Sequence, residues 1–128
     1  MRAKVSVVGL DRALGEELRH ALDGLGHSVV VEPFRSPADV LALLEQADAE
    51  LVFCGTESRQ YLGLLGLLRE RRQEVPVVVV SRLPETGDCL DAIEAGAADY
   101  CAAPFEAELI RRIVESTLEY PRALPLAG

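Results

Sequence analysis

A chain of 128 residues that is 49% apolar is one domain's worth and can bury a core, which excludes a disordered segment. Its net charge of -8 repels phosphate backbones and anionic lipid, so direct binding to nucleic acid or to a membrane surface is not expected. No apolar run approaches the roughly 18 residues of a spanning helix, and no signal peptide precedes the first strand pattern, so the expected compartment is the cytoplasm.

Short β-branched runs alternate with helical patterns. Val5 to Val8 reads as a buried strand. Leu14, Leu18, Leu22 and Leu25 then recur at helical spacing, with Asp11 as N-cap and Gly24 or Gly26 as the stop. Ser28 to Val31 is a second strand. Ser36-Pro37-Ala38-Asp39 opens a second helix: a capping hydroxyl, a proline in the first turn and a carboxylate at the positive helix end. Leu51 to Cys54 is a third strand that Gly55 breaks, and Tyr61 to Leu68 is a third helix. Pro76 to Ser81 is the strongest strand pattern. Leu90 and Ile93 mark a short fourth helix ended by Gly96, and Ala98 to Ala102 a fifth strand. Leu109, Ile110, Ile113, Val114 and Leu118 mark the fifth helix.

Alternating strands and helices demand parallel pairing through right-handed crossovers. Continuous apolar strands suit a sheet covered on both faces. The expected fold is α/β and flavodoxin-like, a (βα)5 three-layer sandwich with strand order 2-1-3-4-5. The domain is expected over residues 1–120. Residues 121–128, with Pro121 and Pro125, read as a tail or the start of a linker. In such a fold the site lies at the carboxyl ends of the strands. Those ends are Gly9 to Asp11, Gly55 to Glu57, Ser81-Arg82 and Ala103-Pro104.

The residues at these ends carry a resemblance. The stretch Ala92-Ile93-Glu94-Ala95-Gly96-Ala97-Ala98-Asp99-Tyr100-Cys101-Ala102-Ala103-Pro104-Phe105 resembles the A-x-x-A-G-A-x-D-Y-x-x-K-P-F stretch of the receiver family of two-component signalling, with Ala103 where that family carries Lys. Ala49 to Gly55 is similar to its P-D-L-V-L-L-D strand, with Gly55 at the phospho-acceptor Asp position. Val7-Val8-Gly9-Leu10-Asp11 is similar to V-V-D-D-D, with Gly9 and Leu10 in place of the acidic pair that holds magnesium. Ser81 matches the family's Thr/Ser and Tyr100 its aromatic switch position. The resemblance runs from about Val5 to Leu118.

It implies a receiver that has lost its phosphoryl chemistry. Transfer to a carboxylate needs that carboxylate as nucleophile, a hard cation held by oxygen ligands and a further charge clamp. Gly55 has no side chain, Leu10 ligates nothing and Ala103 is neutral. Asp11 and Glu57 could hold Mg²⁺ or Ca²⁺ weakly, but a helix cap and a solvated carboxylate are the favoured roles, so no metal and no cofactor are expected. Ser81 is expected to be a strand-end hydroxyl satisfied by backbone.

The other chemistry-bearing residues point to structure. Cys54, Cys89 and Cys101 are too few and too scattered for a disulfide framework or a zinc site, and Cys54 and Cys101 sit in apolar runs. His20 and His27 have no catalytic partner at a recognisable spacing. Arg69, Arg71 and Arg72 form a basic cluster, as do Arg111 and Arg112, which reads as solvated helix ends.

The expected function is a phosphorylation-independent signalling module, not an enzyme. It would act through protein contacts as the N-terminal regulatory part of a larger regulator, a transcriptional output being one option the resemblance implies. The resemblance implies an output face over residues 86–119, used for a protein partner or for a homodimer. Glu94, Glu106, Glu108, Arg111 and Arg112 would frame it. The alternative is a small-ligand sensor using the less charged cleft at the strand ends.

Overall fold

The computed structural model describes residues 2–82 and 86–119. Five strands form one sheet: β1 (Lys4–Val8), β2 (Ser28–Glu32), β3 (Leu51–Gly55), β4 (Val77–Ser81) and β5 (Asp99–Ala102). Their order is β2-β1-β3-β4-β5, and every neighbouring pair is parallel. The crossovers are α1 (Arg12–Gly24), α2 (Pro37–Ala47), α3 (Gln60–Glu70), α4 (Thr86–Glu94) and the closing α5 (Ala107–Glu119). The expected order and fold class are observed. The expected tail, residues 121–128, lies outside the described residues.

Strand periodicity divides the core in two. Val5, Val7, Phe53, Val78 and Val80 face Leu18 and Leu22 of α1 and Ile110 and Val114 of α5. Val8, Val52, Cys54, Val77 and Val79 face Leu41 and Leu44 of α2, Leu64 and Leu68 of α3, and Ala92 of α4. This explains why the inner strands read as continuous apolar runs rather than alternating ones.

The helix starts follow local chemistry. The Asp11 carboxylate accepts the Leu14 N–H at 2.9 Å and caps α1. Ser36 Oγ accepts the Asp39 N–H at 3.1 Å, with Pro37 in the first turn of α2.

The structure corrects the sequence readings of β2 and Gly55, and it shows the fourth and fifth helices with some of the residues that mark them turned outward. β2 is not covered like the inner strands: it pairs only with β1, and Val30 and Val31 are exposed at the sheet edge. Gly55 does not break β3 but is its last residue, paired with Val80. A 3-10 turn, Glu57–Arg59, then leads into α3. Leu90 and Ile93 do not face the core, being 57% and 48% exposed, and Ala92 takes the inward position. Leu109 is likewise exposed, while Ile110, Ile113 and Val114 carry the buried face of α5.

Candidate functional site: the cleft at the strand ends

The carboxyl ends of β1, β3 and β4 meet at the point where the strand order reverses, as this fold class places a site. The backbone there depends on two glycines. Gly9 follows β1 with φ of +73°, a left-handed conformation that a side chain makes costly, and a Cβ on it would lie 3.1 Å from Phe34 Cβ. Gly55 ends β3, buried. A Cβ on Gly55 would overlap the carbonyl oxygen of Gly9. It would also lie 3.0 Å from the Gly9 carbonyl carbon and 3.0 Å from Leu10 Cδ2. The space of a residue-55 side chain is thus filled by the β1–α1 turn. Leu10 packs its side chain on the α1/α5 side of the core.

Asp11 is fully engaged. Besides capping α1 it forms an ion pair with Arg82, the residue after β4. The Leu14 N–H, and then the Arg82 guanidinium, hold its carboxyl below the usual carboxylate range. Asp11, Glu57, Gly9, Leu10, Gly55, Thr56 and Arg82 line one depression of about 190 Å³. An adjoining depression of about 270 Å³ shares Gly9, Leu10 and Glu57 and adds Pro33, Phe34 and Gln60. Among the described residues no group of three His, Cys, Asp or Glu side chains is placed to hold a metal ion.

The remaining sequence candidates lie beside this cleft rather than in it. Ser81 ends β4, is buried, and its carbonyl accepts the Ala103 N–H at 3.0 Å. Ala103 is half-buried and joined to Pro104 by a cis peptide. Tyr100, on β5, turns inward against the core beneath α4, and its buried hydroxyl has no hydrogen-bond partner among the described residues. Burial pushes the thiols of Cys54 and Cys101 up to about 12, where neither is a nucleophile at neutral pH. His27 is buried as well, with Nδ1 accepting the Ala3 N–H at 3.0 Å.

Sequence reading missed the pairing of Arg82 with Asp11. Its only local signal is a cation placed directly after a strand end. The contact of Phe34 with the Gly9 turn had no local signal.

No protein-family model matches the chain. The response regulator FleR of Pseudomonas aeruginosa is 34% identical over 117 residues, which is 89% of this chain and 24% of FleR. The transcriptional regulatory protein KdpE of Staphylococcus aureus is 25% identical over 118 residues, 90% of this chain and 51% of KdpE. The chain therefore spans about a quarter to a half of the curated relatives it matches. A response regulator from Thermotoga maritima superposes with a TM-score of 0.79 at 22% identity, over 94% of this chain and 100% of its own. An atypical orphan response regulator, described as having a phosphorylation-independent regulatory mechanism, superposes with a TM-score of 0.75 at 24% identity, over 91% and 96% of the two chains. Among the described residues no helix is long and apolar enough to cross a membrane. In sequence and in fold, this chain is a relative of response-regulator receiver domains.

Proposed function

We propose that this domain is a phosphorylation-independent receiver, which signals through protein contacts as the regulatory part of a larger cytoplasmic regulator. The observation that carries the reading is the packing of the Gly9 turn into the space of a residue-55 side chain. Gly55, at the position expected for the phospho-acceptor, has no nucleophile and no room for one. Gly9 and Leu10 supply no oxygen ligands from side chains, Asp11 is held by the α1 N-terminus and Arg82, and Ala103 offers no cation. Together these remove the nucleophile, the metal site and the charge clamp that phosphoryl transfer to a carboxylate requires. The likeness to an atypical orphan regulator with a phosphorylation-independent mechanism supports the same reading.

The contact surface on this reading is the region 86–119, where Leu90, Ile93 and Leu109 stand exposed. Its occupant is a protein partner or a second copy of the chain. The greater length of the relatives supports a further output domain in the whole protein. The competing reading is a small ligand at the rim, which would have to span both adjoining depressions, of about 190 and 270 Å³, to reach the roughly 300 Å³ at which ligand pockets begin.

Incubation with acetyl phosphate and Mg²⁺ tests the proposal. The intact mass is expected to stay unchanged. A hydroxylamine-labile adduct of one phosphoryl group within the domain would overturn it.

A further inference from the structure

Among its described side chains, α4 has little anchorage in the core. Of its described side chains from Cys89 to Glu94 only Ala92 is buried, whereas α3 buries Tyr61, Leu64, Leu65 and Leu68. A helix with so little buried apolar surface belongs to the low-stability end of a domain. Two arginines of the preceding α3 segment make up part of the difference, one near each end. Arg59 Nη2 lies 2.7 Å from Asp91 Oδ2, and Arg69 Nη2 donates to the Ala95 carbonyl at 3.1 Å. Arg69 also passes close to Gly96, where a Cβ would sit 3.2 Å from its Nη2.

The backbone at Arg59 adds a second observation. Its φ is +54°, left-handed and uncommon for a residue with a side chain, at the junction of the 3-10 turn and α3. That turn begins two residues after Gly55. A residue held in a costly conformation beside a candidate site is a reason to ask what its side chain does. Here it reaches across to α4.

We infer that Arg59 and Asp91 form a positioning link that couples the β3–α3 turn of the cleft directly to α4 and holds the exposed pair Leu90 and Ile93 in one orientation. The link deepens the proposed function, since it rests on reading the α4 region as the contact surface. It also explains how a cleft without phosphoryl chemistry stays mechanically joined to that surface. Asp91 sits one residue from Leu90 and two from Ile93, so an ion pair at Asp91 fixes the helix at the patch itself. Tyr100, packed inward under the same helix, leaves α4 a seat on its inner side, and the arginines hold it from the α3 side.

Amide hydrogen exchange across α4 tests the link. In Arg59→Gln and in Asp91→Asn, the protected amides of Ala92 to Glu94 are expected to exchange about two- to fivefold faster, the size an exposed ion pair supplies. Amides of α5 should not change. The exchanged pair Arg59→Asp with Asp91→Arg should return α4 towards the wild-type rate, while Glu94→Gln on the same helix should have no effect. Unchanged α4 exchange in both single variants, or no recovery in the exchanged pair, would overturn the inference. These readouts do not involve phosphorylation, so a phosphoryl adduct on the wild-type chain would sink the proposed function and leave the link standing.

Discussion

The carbonyl oxygen of Gly9 stands where residue 55 would place its Cβ. The two glycines are 46 positions apart in sequence and share one small volume at the ends of β1 and β3. Each depends on the other. Gly9 needs its left-handed φ to turn the chain there, and that turn is tolerable only because residue 55 has no side chain.

A substitution at either position therefore breaks a fit, and the cost can be ordered. Gly55→Ala must displace backbone atoms of the β1–α1 turn, and overpacking of this kind costs about 1–3 kcal/mol. Gly66→Ala is the contrast. Gly66 lies mid-helix in α3, and a Cβ there meets nothing within 4 Å. Relieving the backbone entropy of a helical glycine should stabilise the fold by about 0.5–1 kcal/mol. Urea denaturation of both variants gives the check. A neutral Gly55→Ala would mean the β1–α1 turn yields without cost.

Putting carboxylates back at these positions follows the same logic. The combined variant Gly9→Asp, Leu10→Asp, Gly55→Asp and Ala103→Lys must open the turn as well as supply ligands. It should be less stable than wild type without metal, and close carboxylates should raise the pKa of at least one of them. The displaced Gly9 backbone makes recovery by Mg²⁺ smaller than mere loss of side chains would allow. Melting temperatures with and without Mg²⁺ measure this. A variant as stable as wild type before metal is added would contradict the packing described here.

The fold was legible because its evidence is local and repeated. Strand runs such as Val77 to Val80, and the caps at Asp11 and Ser36, state their structure within a few residues. The candidate site was legible only as losses. Gly55 and Gly9 could be seen to lack carboxylates, but not to fill one another's space, because that contact depends on the path of two separate turns. The pairs Arg82–Asp11 and Arg59–Asp91 escaped for the same reason, spanning 71 and 32 positions. The outward turn of Leu90 and Ile93 escaped because a short helix with few apolar residues has no clear stripe, and the small Ala92 was the buried one.

Val80 tests the sheet. It lies in β4 between Gly55 of β3 and Cys101 of β5 and is fully buried. Val80→Asp would bury a carboxylate among apolar neighbours without a partner, a cost that exceeds the stability of an ordinary domain. The variant is expected to be unfolded by circular dichroism. Cooperative unfolding of a soluble variant would refute the strand's burial.

His27 gives a pH dependence with a definite sign. Burial lowers its pKa from the ordinary 6.5, and its Nδ1 accepts the Ala3 N–H only while that nitrogen is unprotonated. The unfolded chain then binds the proton more readily than the folded one. Stability from this residue is complete above about pH 6.5 and falls as pH drops through the window between the unfolded and folded values. His27→Gln should flatten that part of the profile below about pH 6.5. An equal slope in both proteins would remove His27 as its source.

Association through the region 86–119 is the prediction on which most of the functional reading turns, and the structure changes how it should be tested. Charge reversal at Arg111 is a poor probe, since this side chain is already bound within its own helix by Glu108 and Glu115. Reversing it would put like charges along α5 and disturb the helix whether or not a partner exists. Leu90 and Ile93 are the better choice. They are exposed, make up the apolar patch of α4 and contribute little to the core. Leu90→Glu with Ile93→Glu should leave the melting temperature of the monomer nearly unchanged and abolish concentration-dependent association in sedimentation. Arg112→Glu, at an exposed position on α5, should weaken it partially through lost complementarity. A wild-type chain that stays monomeric at the highest concentration would exclude self-association and leave a different protein as the occupant. A dimer that survives Leu90→Glu with Ile93→Glu would place the contact elsewhere on the domain.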